Sequence, residues 1–449
     1  MRPHLSPILI STILCLLIPL PSGLDAQTVA DPELLAEINK IRAIDNHAHP
    51  KRVLSDAEAD PDTDFAEPSQ PDLDVPVRLR PDNPEYVEAH KALYLSADAK
   101  DSSAEQVRAA RQRIAKEQRD GFPAWVLDRL HIETMFANRV AMGRGLAKPR
   151  FVWVPYCDAF LFPLDNSVAG AVNPDYRAQI NGSRHLLQRY LDESSVHKLP
   201  DTLTTYLSEV VDPTLIRQQK AGAIALKFAT AYMRALDFGN PTEAEAARIY
   251  ARYVKGGAPS PADYKTLQDF VFRHIALKAG ALGLPIHIHT GAGAIGYFSQ
   301  TGGSPFLLEG VLNDPKMRPT KFVLVHGGSP FAQETRMLLY KPNVYADFSA
   351  QTFLLSTREL STVLRSWLEF VPEKILFGTD AFEITPDVGW PEIAWLSNKS
   401  ARDALAIALT GMMADGQITR GRALELARMV LSENARRLYG EALGEKSRP

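Results

Sequence analysis

Residues 284–291 read LPIHIHTG, a short aliphatic run that closes on a histidine and then a turn. Four more runs end in the same way: IRAIDNHAH at 41–49, AGAIALKF at 221–228, KFVLVHGG at 321–328 and KILFGTDA at 374–381. Runs rich in Ile, Val and Leu suit parallel strands buried on both faces. Ligands gather where such strands end. The polar residues at those ends, His47, His49, Lys227, His289, His326 and Asp380, are therefore the candidate site.

Working outward, HIETMFAN (131–138), RFVWVPYC (150–157) and NVYADFS (343–349) supply three further strands, which brings the count to eight. Helical patterns separate them, among them Thr242 to Val254, with acids in its first turn, and Pro261 to Leu282. A polar helical stretch runs from about Asp175 to Gln219. Strands alternating with helices imply a parallel sheet, and eight of them with polar ends imply an α/β chain closed as a (β/α)8 TIM barrel.

One segment interrupts the pattern. From Ser55 to about Asp98 the chain is dense in Asp, Glu and Pro and poor in aliphatics, so it cannot bury much surface by itself. It reads as an acidic, Pro-rich arm or lid inserted after strand 1. A capping-box pattern at Ser102 to Glu105 then opens a helix through Arg119, with Gly121 as its stop. The expected organisation is a barrel domain over 27–440, with 51–125 as the inserted arm and its helices, and a tail at 441–449.

Length and composition are those of a globular protein, and 449 residues fit one barrel with insertions. A net charge of −3 without basic runs argues against a nucleic-acid surface. The first 26 residues carry Arg2, a short apolar stretch from Pro7 to Leu20 and small residues before Ala26, the pattern of a secretory signal peptide. The expected location is periplasmic or secreted, with no membrane span after cleavage. Removal of that segment takes Cys15 with it and leaves Cys157 alone, so no internal disulfide forms; Cys157 reads as a packed small residue. Sequons stand at Asn181 and Asn398. Substrate is expected to be a small molecule or peptide, and the reading admits a homo-oligomer.

Residues two apart on a strand share a face, so His47 and His49 both point inward, as does Asp45, and two imidazoles on one strand can grip one cation. Lys227 has small neighbours, Ala225 and Ala223, on its face. A buried lysine beside other cations loses stability as the charged form, and its neutral amine can take up carbon dioxide as a carbamate that bridges two metal ions. The alternative is a lysine paired with Asp380 or reaching solvent. On strand five only His289 is near enough the end to be a ligand; His287 lies a layer deeper. His326 precedes Gly327 and Gly328, which allow close backbone approach to a ligand; the alternative is a loop histidine. Asp380 suits both ligand and general base; a helix cap is its alternative. Residues 291–296 form a G-x-G-x-x-G, yet YFSQTGGSP follows where a dinucleotide site needs a helix, so a substrate loop is the better reading.

Taken together, the H-x-H of strand one, LPIHIHTG, VLVHGG and LFGTDA resemble the amidohydrolase superfamily, specifically its amidohydrolase-2 type of metal-dependent hydrolase. LKFATAYMR, HTGAG and NVYADFS are also similar to the amidohydrolase-like domain of nodulin and glutamine-synthetase-like fusion proteins. The resemblance implies one or two divalent cations, zinc first among them, at the carboxyl face of the barrel. It implies His47, His49, His289 and Asp380 as ligands, with Lys227, carboxylated, and His326 added if two ions bind. Tyr232 and Arg234 follow strand four closely; Arg234 would meet a substrate carboxylate or else an ion-pair partner.

The leading expectation is hydrolysis of an amide, lactam, lactone or similar bond: metal-bound hydroxide attacks, metal and His326 stabilise the oxyanion, and Asp380 passes the proton to the leaving group. A one-metal decarboxylase is the second reading. A non-catalytic metal-binding module is the third, although no closed four-ligand structural zinc set exists in the sequence.

Overall fold

The structure is a computed structural model and describes residues 29–52, 60–65, 76–95, 103–172, 174–293, 297–385 and 388–443. Eight strands run in chain order: β1 Ala43–Ala48, β2 Ile132–Asn138, β3 Phe151–Val154, β4 Leu226–Phe228, β5 Ile286–His289, β6 Phe322–Val325, β7 Val344–Asp347 and β8 Ile375–Leu376. They pair in parallel, each with its neighbour, as a three-stranded sheet β1-β2-β3 and a five-stranded sheet β4-β5-β6-β7-β8. Both seams are closed by backbone hydrogen bonds. Between β3 and β4, Ile224 N donates to Trp153 O (2.9 Å) and Lys227 N to Pro155 O (2.8 Å). Between β8 and β1, Asn46 N donates to Phe377 O (2.8 Å) and Asp380 N to His47 O (2.7 Å). The wall is the expected (β/α)8 barrel. Pro155, which has no N–H to give, marks where β3 stops pairing regularly.

The inside of the barrel is filled by Ile44, Phe136, Val152, Val154, Val323, Val325 and Leu376. Its amino end is plugged by the helix Asn434–Tyr439. Asn434 Nδ2 donates to Pro372 O (2.7 Å) and Ile375 O (2.9 Å), which ties this helix to the start of β8. Tyr439 reaches further in, where its hydroxyl donates to Asn46 Oδ1 (2.7 Å) and meets His287 Nε2 at 2.6 Å.

β1 departs from regular alternation. Its register against β2 shifts between Ala43 and Ile44 and again between Asp45 and Ala48. As a result Asn46, and not Asp45, joins the interior network: Asn46 Nδ2 donates to Asp347 Oδ2 (3.1 Å). Asp45 instead accepts from Thr379 N (2.9 Å), Thr379 Oγ1 (2.5 Å) and His47 N (3.2 Å), bracing the end of β8.

The helix Pro261–Leu282 forms as the sequence predicts, opened by the Ser260 side chain on Asp263 N and ended by left-handed Gly283 (φ 69°). Glu243–Tyr253 forms under a Thr242/Glu245 capping box. The helix expected to open at Ser102 has its capping box one residue later, at Ser103 and Gln106, and runs Ala104–Gln118.

The inserted segment is less isolated than its composition predicts. Its described second half contains the helix Pro84–Tyr94, whose buried Tyr86, Ala89 and Leu93 fall on one face. That face packs with Trp390, Ile393 and Leu396 of the long helix Trp390–Ala414. Arg78 donates to Thr352 O (2.8 Å) and Leu355 O (2.9 Å), and Tyr94 Oη to Glu392 Oε1 (2.7 Å). Few apolar residues suffice because the barrel supplies the other half of the contact. Asn398 lies on that long helix and is buried, its amide donating to Leu130 O (2.9 Å), so its sequon faces inward. No described helix is long and apolar enough to cross a membrane.

Candidate metal centre

Three strand-end side chains converge from opposite sides of the β8–β1 seam. His47 Nε2 lies 3.2 Å from Asp380 Oδ1, His49 Nε2 lies 3.3 Å from the same oxygen, and the two Nε2 atoms are 3.3 Å apart. Whether such a trio suits a divalent cation is a question of edge length. Donors at the zinc–nitrogen distance of about 2.0–2.1 Å stand roughly 3.3–3.4 Å apart at the corners of a tetrahedron. The observed triangle has the size of one tetrahedral face, and the residues fit the ion. Two backbone features make it: Asp380 has φ 53°, which turns its carboxylate back over β1, and Gly378 lets His47 sit where a Cβ would lie 3.5 Å from His47 Cβ and 2.9 Å from Ser349 Cβ. The described residues that follow, 381–385, are not helical, so Asp380 caps no helix there.

His289 and His326 form a second group beside the first. The His326 ring centroid is 5.1 Å from that of His47, and His326 Nδ1 is 3.9 Å from Asp380 Oδ2. Hydrogen-bond accounting fixes their tautomers. Ser349 Oγ is 2.5 Å from Asp347 Oδ1 and 2.9 Å from His326 Nδ1, so its one proton goes to the carboxylate and it accepts from His326 Nδ1–H. His289 donates Nε2–H to Gly291 O (2.9 Å). Burial, with Lys227 as a further charge nearby, holds both imidazoles well below their ordinary pKa, so neither carries a second proton. His289 Nδ1 and His326 Nε2 are then two lone pairs facing each other at 3.1 Å. Such a pair is stable around a shared cation or a shared proton.

Lys227 is the middle residue of β4; its side chain is buried, and its Nζ has no hydrogen-bond partner among the described residues. It neither reaches solvent nor bonds to Asp380. Burial pulls its pKa down to about 8 against the opposing pull of Asp380, Asp347, Asp158 and Asp64. An orphaned amine on this floor is the observation that a carbamate would explain.

The remaining expected residues divide. Tyr232 lies over His289, ring centroids 4.6 Å apart. Arg234 does not serve as a free cation: its Nη1 is 2.7 Å from Asp269 Oδ1, its Nε donates to Ala235 O (2.9 Å), and its guanidinium covers the Phe238 ring at 4.4 Å. The ion-pair alternative is the one realised, because Asp269 is buried and leaves no room for a carboxylate from outside. His287 sits a layer deeper against Tyr439, and burial lowers its pKa to about 3. The glycines after His326 serve the protein and not a ligand: a Cβ on Gly327 (φ 52°) would lie 2.2 Å from the Trp367 ring, and one on Gly328 (φ 67°) 2.7 Å from Pro305 and Thr335. Residues 294–296 of the glycine loop lie outside the described residues, and the first helical turn after them is Pro305–Leu308. Cys157 is buried, and burial raises its thiol pKa well above the usual range.

Several contributors lie outside the set read from the sequence. Asn138 Nδ2 lies 2.9 Å from His47 Nδ1 and 3.2 Å from Ala48 O, which sets the plane of that ring. Tyr156 Oη (3.2 Å) and Asp64 Oδ2 (3.1 Å) both meet His49 Nδ1. Burial opposes charge on His49, but Asp380 and Asp64 outweigh it and raise its pKa to about 9. Asp347 accepts His326 N (3.0 Å) and Ser349 N (3.1 Å). Asn138 and Asp347 close β2 and β7, so the positional rule that found the histidines would also have found them; no local signal points to Asp64.

Residues 215–440, half of the chain, match the family model described as amidohydrolase, and the chain belongs to that family. It is a metal-dependent enzyme of the amidohydrolase superfamily. Protein fluG of Emericella nidulans is 29% identical over 201 residues, 43% of this chain and 22% of that protein, so the similarity spans about a fifth of the relative's length. Among solved structures, a protein of Lactobacillus casei described as a metal-dependent hydrolase superposes with TM-score 0.62 at 16% identity, over 92% of this chain and 99% of the other. The glucuronate isomerase of Caulobacter crescentus superposes with TM-score 0.57 at 15% identity, over 95% and 97% of the two chains. At these identities the likeness is one of fold.

Proposed function

We propose that this enzyme is a hydrolase of amides, lactams, lactones or related small molecules or peptides, with a two-cation centre held by His47, His49, His289, His326, Asp380 and a carboxylated Lys227. The observation that carries the reading is the coexistence of a tetrahedral-face trio, a facing pair of unprotonated nitrogens and an orphaned buried amine within one mouth. Divalent cations there would polarise a carbonyl and bring the pKa of a water to about 7. Lys227 loses one proton to become a neutral amine, then adds carbon dioxide and releases a second, so that a buried cation becomes an anion. Asp380, open to the mouth and touching both β1 histidines, accepts the proton of the attacking water and returns it to the leaving group. Tyr232, its ring 4.6 Å from that of His289 and tilted against it, is placed to line the substrate. The unprotonated Nε2 of His326 favours a ligand role over donation to an oxyanion.

A one-metal decarboxylase would leave Lys227 without a role and His326 outside the ligand set, which is why hydrolysis ranks first. Metal analysis of the purified protein, a screen over amides, lactones, carboxylic acids and uronates, and the Asp380→Asn variant decide the matter. We expect about two ions per chain, hydrolytic turnover, and its loss by at least ~100-fold in the variant. Absence of bound divalent metal together with full activity of the variant would reject the assignment. We also propose export, with residues 1–26 as leader. The amino terminus of the mature protein in a periplasmic or culture fraction tests it; recovery of the intact leader in the cytoplasm would reject it.

A further inference from the structure

His47 and His49 are held differently at their second nitrogens. His47 meets a neutral amide, Asn138, whereas His49 meets a carboxylate that comes from the inserted segment and not from the barrel wall. Three acids alternate there, Asp60, Asp62 and Asp64, and each is met by a base of the barrel. Asp60 Oδ1 is 2.7 Å from buried Arg139 and 2.9 Å from Arg52 Nε, Asp62 Oδ1 is 2.6 Å from Arg189 Nη1, and Asp64 Oδ2 is 3.1 Å from His49 Nδ1. Asp62 O also accepts from Val140 N (3.1 Å), and the Phe65 ring packs edge-on against Tyr156 at 4.9 Å. The first two pairs seat the segment so that the third acid arrives at the centre.

We propose that Asp64 is a positioning residue for His49, delivered by the inserted segment and seated by Asp60 and Asp62. This rests on the reading of His47, His49 and Asp380 as a cation site. The Asp64 carboxylate lies against His49 Nδ1, which points Nε2 at the face shared with His47 Nε2 and Asp380 Oδ1. A ligating histidine that donates its other N–H to a carboxylate is both oriented and made more basic. The metal centre of this enzyme is thus complete only with the insertion in place.

The test is zinc affinity of the metal-stripped protein, read by competition with a chromogenic chelator, with thermal unfolding of each stripped variant alongside. Asp64→Ala should weaken zinc binding by about 10–100-fold. Asp64→Asn keeps an acceptor oxygen and should recover at least half of that loss on a logarithmic scale, at the same melting temperature as Asp64→Ala. Asp62→Ala, which unseats the segment at Arg189, should weaken binding severalfold alone and not at all when added to Asp64→Ala. An Asp64→Ala affinity within twofold of wild type, no recovery in Asp64→Asn, or a full effect of Asp62→Ala in the double variant would each overturn the proposal. If the wild type itself binds no zinc, it is the reading of the centre that fails.

Discussion

Tyr439→Phe removes one oxygen from the floor of the barrel and leaves the ring that fills it. That oxygen accepts from His287 Nε2 at 2.6 Å and donates to Asn46 Oδ1 at 2.7 Å, in a place where all three residues are buried. His287 is neutral there, its pKa lowered to about 3 by burial, so it cannot escape by changing charge. The variant therefore strands one buried donor and one buried acceptor, each costing about 1–3 kcal/mol, or roughly 2–6 kcal/mol together. With an unfolding entropy near 2.1 cal/mol/K per residue over about 400 ordered residues, each kcal/mol moves the melting temperature by about 1 °C, so a fall of roughly 2–6 °C is expected. Tyr250→Phe is the control: its hydroxyl makes one bond, to Pro200 O at 2.9 Å, worth about 1 kcal/mol. At the mouth the effect should be small, because Asp347 keeps the donors His326 N, Ser349 N and Ser349 Oγ when Asn46 is disturbed. Thermal unfolding by circular dichroism gives the shift and zinc competition gives the mouth. A Tyr439→Phe shift no larger than that of Tyr250→Phe would refute the account of a buried hydrogen-bonded chain from His287 through Tyr439 to Asn46.

Arg234→Met should lower stability by roughly 1–3 kcal/mol, since Asp269 loses one charged partner while Lys265 stays at 2.7 Å, and should leave KM within twofold; a tenfold rise in KM at unchanged melting temperature would return Arg234 to the substrate. Gly327→Ala places a Cβ 2.2 Å from Trp367 at a left-handed φ, with an expected cost of about 2–4 kcal/mol from overpacking and backbone strain, and near-wild-type melting would contradict the packing described. Burial holds Tyr94, Tyr190 and Tyr206 well above the usual phenol pKa. The folded chain keeps these protons while the unfolded chain loses them near pH 10, so stability is intact below that pH and falls above it, by about 1.4 kcal/mol per pH unit for each residue. The melting temperature should drop steeply between pH 10 and 11, and a flat profile over that range would be incompatible with this burial.

Much of the fold was legible because its signal is local. An aliphatic run that stops at a polar residue is a strand wherever it lies, and the long helix Pro261–Leu282 is written by Ser260 at one end and Gly283 at the other. His47, His49, His289, His326, Lys227 and Asp380 were found by the same rule, and all six lie at one mouth. The rule misled where neighbours far along the chain decide the outcome. Gly327 and Gly328 suggested ligand approach but are claimed by Trp367, Pro305 and Thr335. Arg234 suggested substrate but is claimed by Asp269. A break in the β1 register sent Asn46, in place of Asp45, into the interior.

The sequence by itself determined which residues stand at strand ends, in what order, and hence that the chain carries a row of metal-type donors on a parallel barrel. It could do so because burial on both faces restricts a strand to aliphatic residues, and the interruption of that pattern is visible in a window of a few positions. Only the tertiary structure decided which nitrogen of His289 and of His326 is free, that Lys227 Nζ has no partner among the described residues, and that Asp64 joins the centre from the insertion. Those outcomes depend on hydrogen-bond partners brought to within about 3 Å from distant parts of the chain, and a proton's choice between two acceptors is settled by distances that exist only once the barrel has closed.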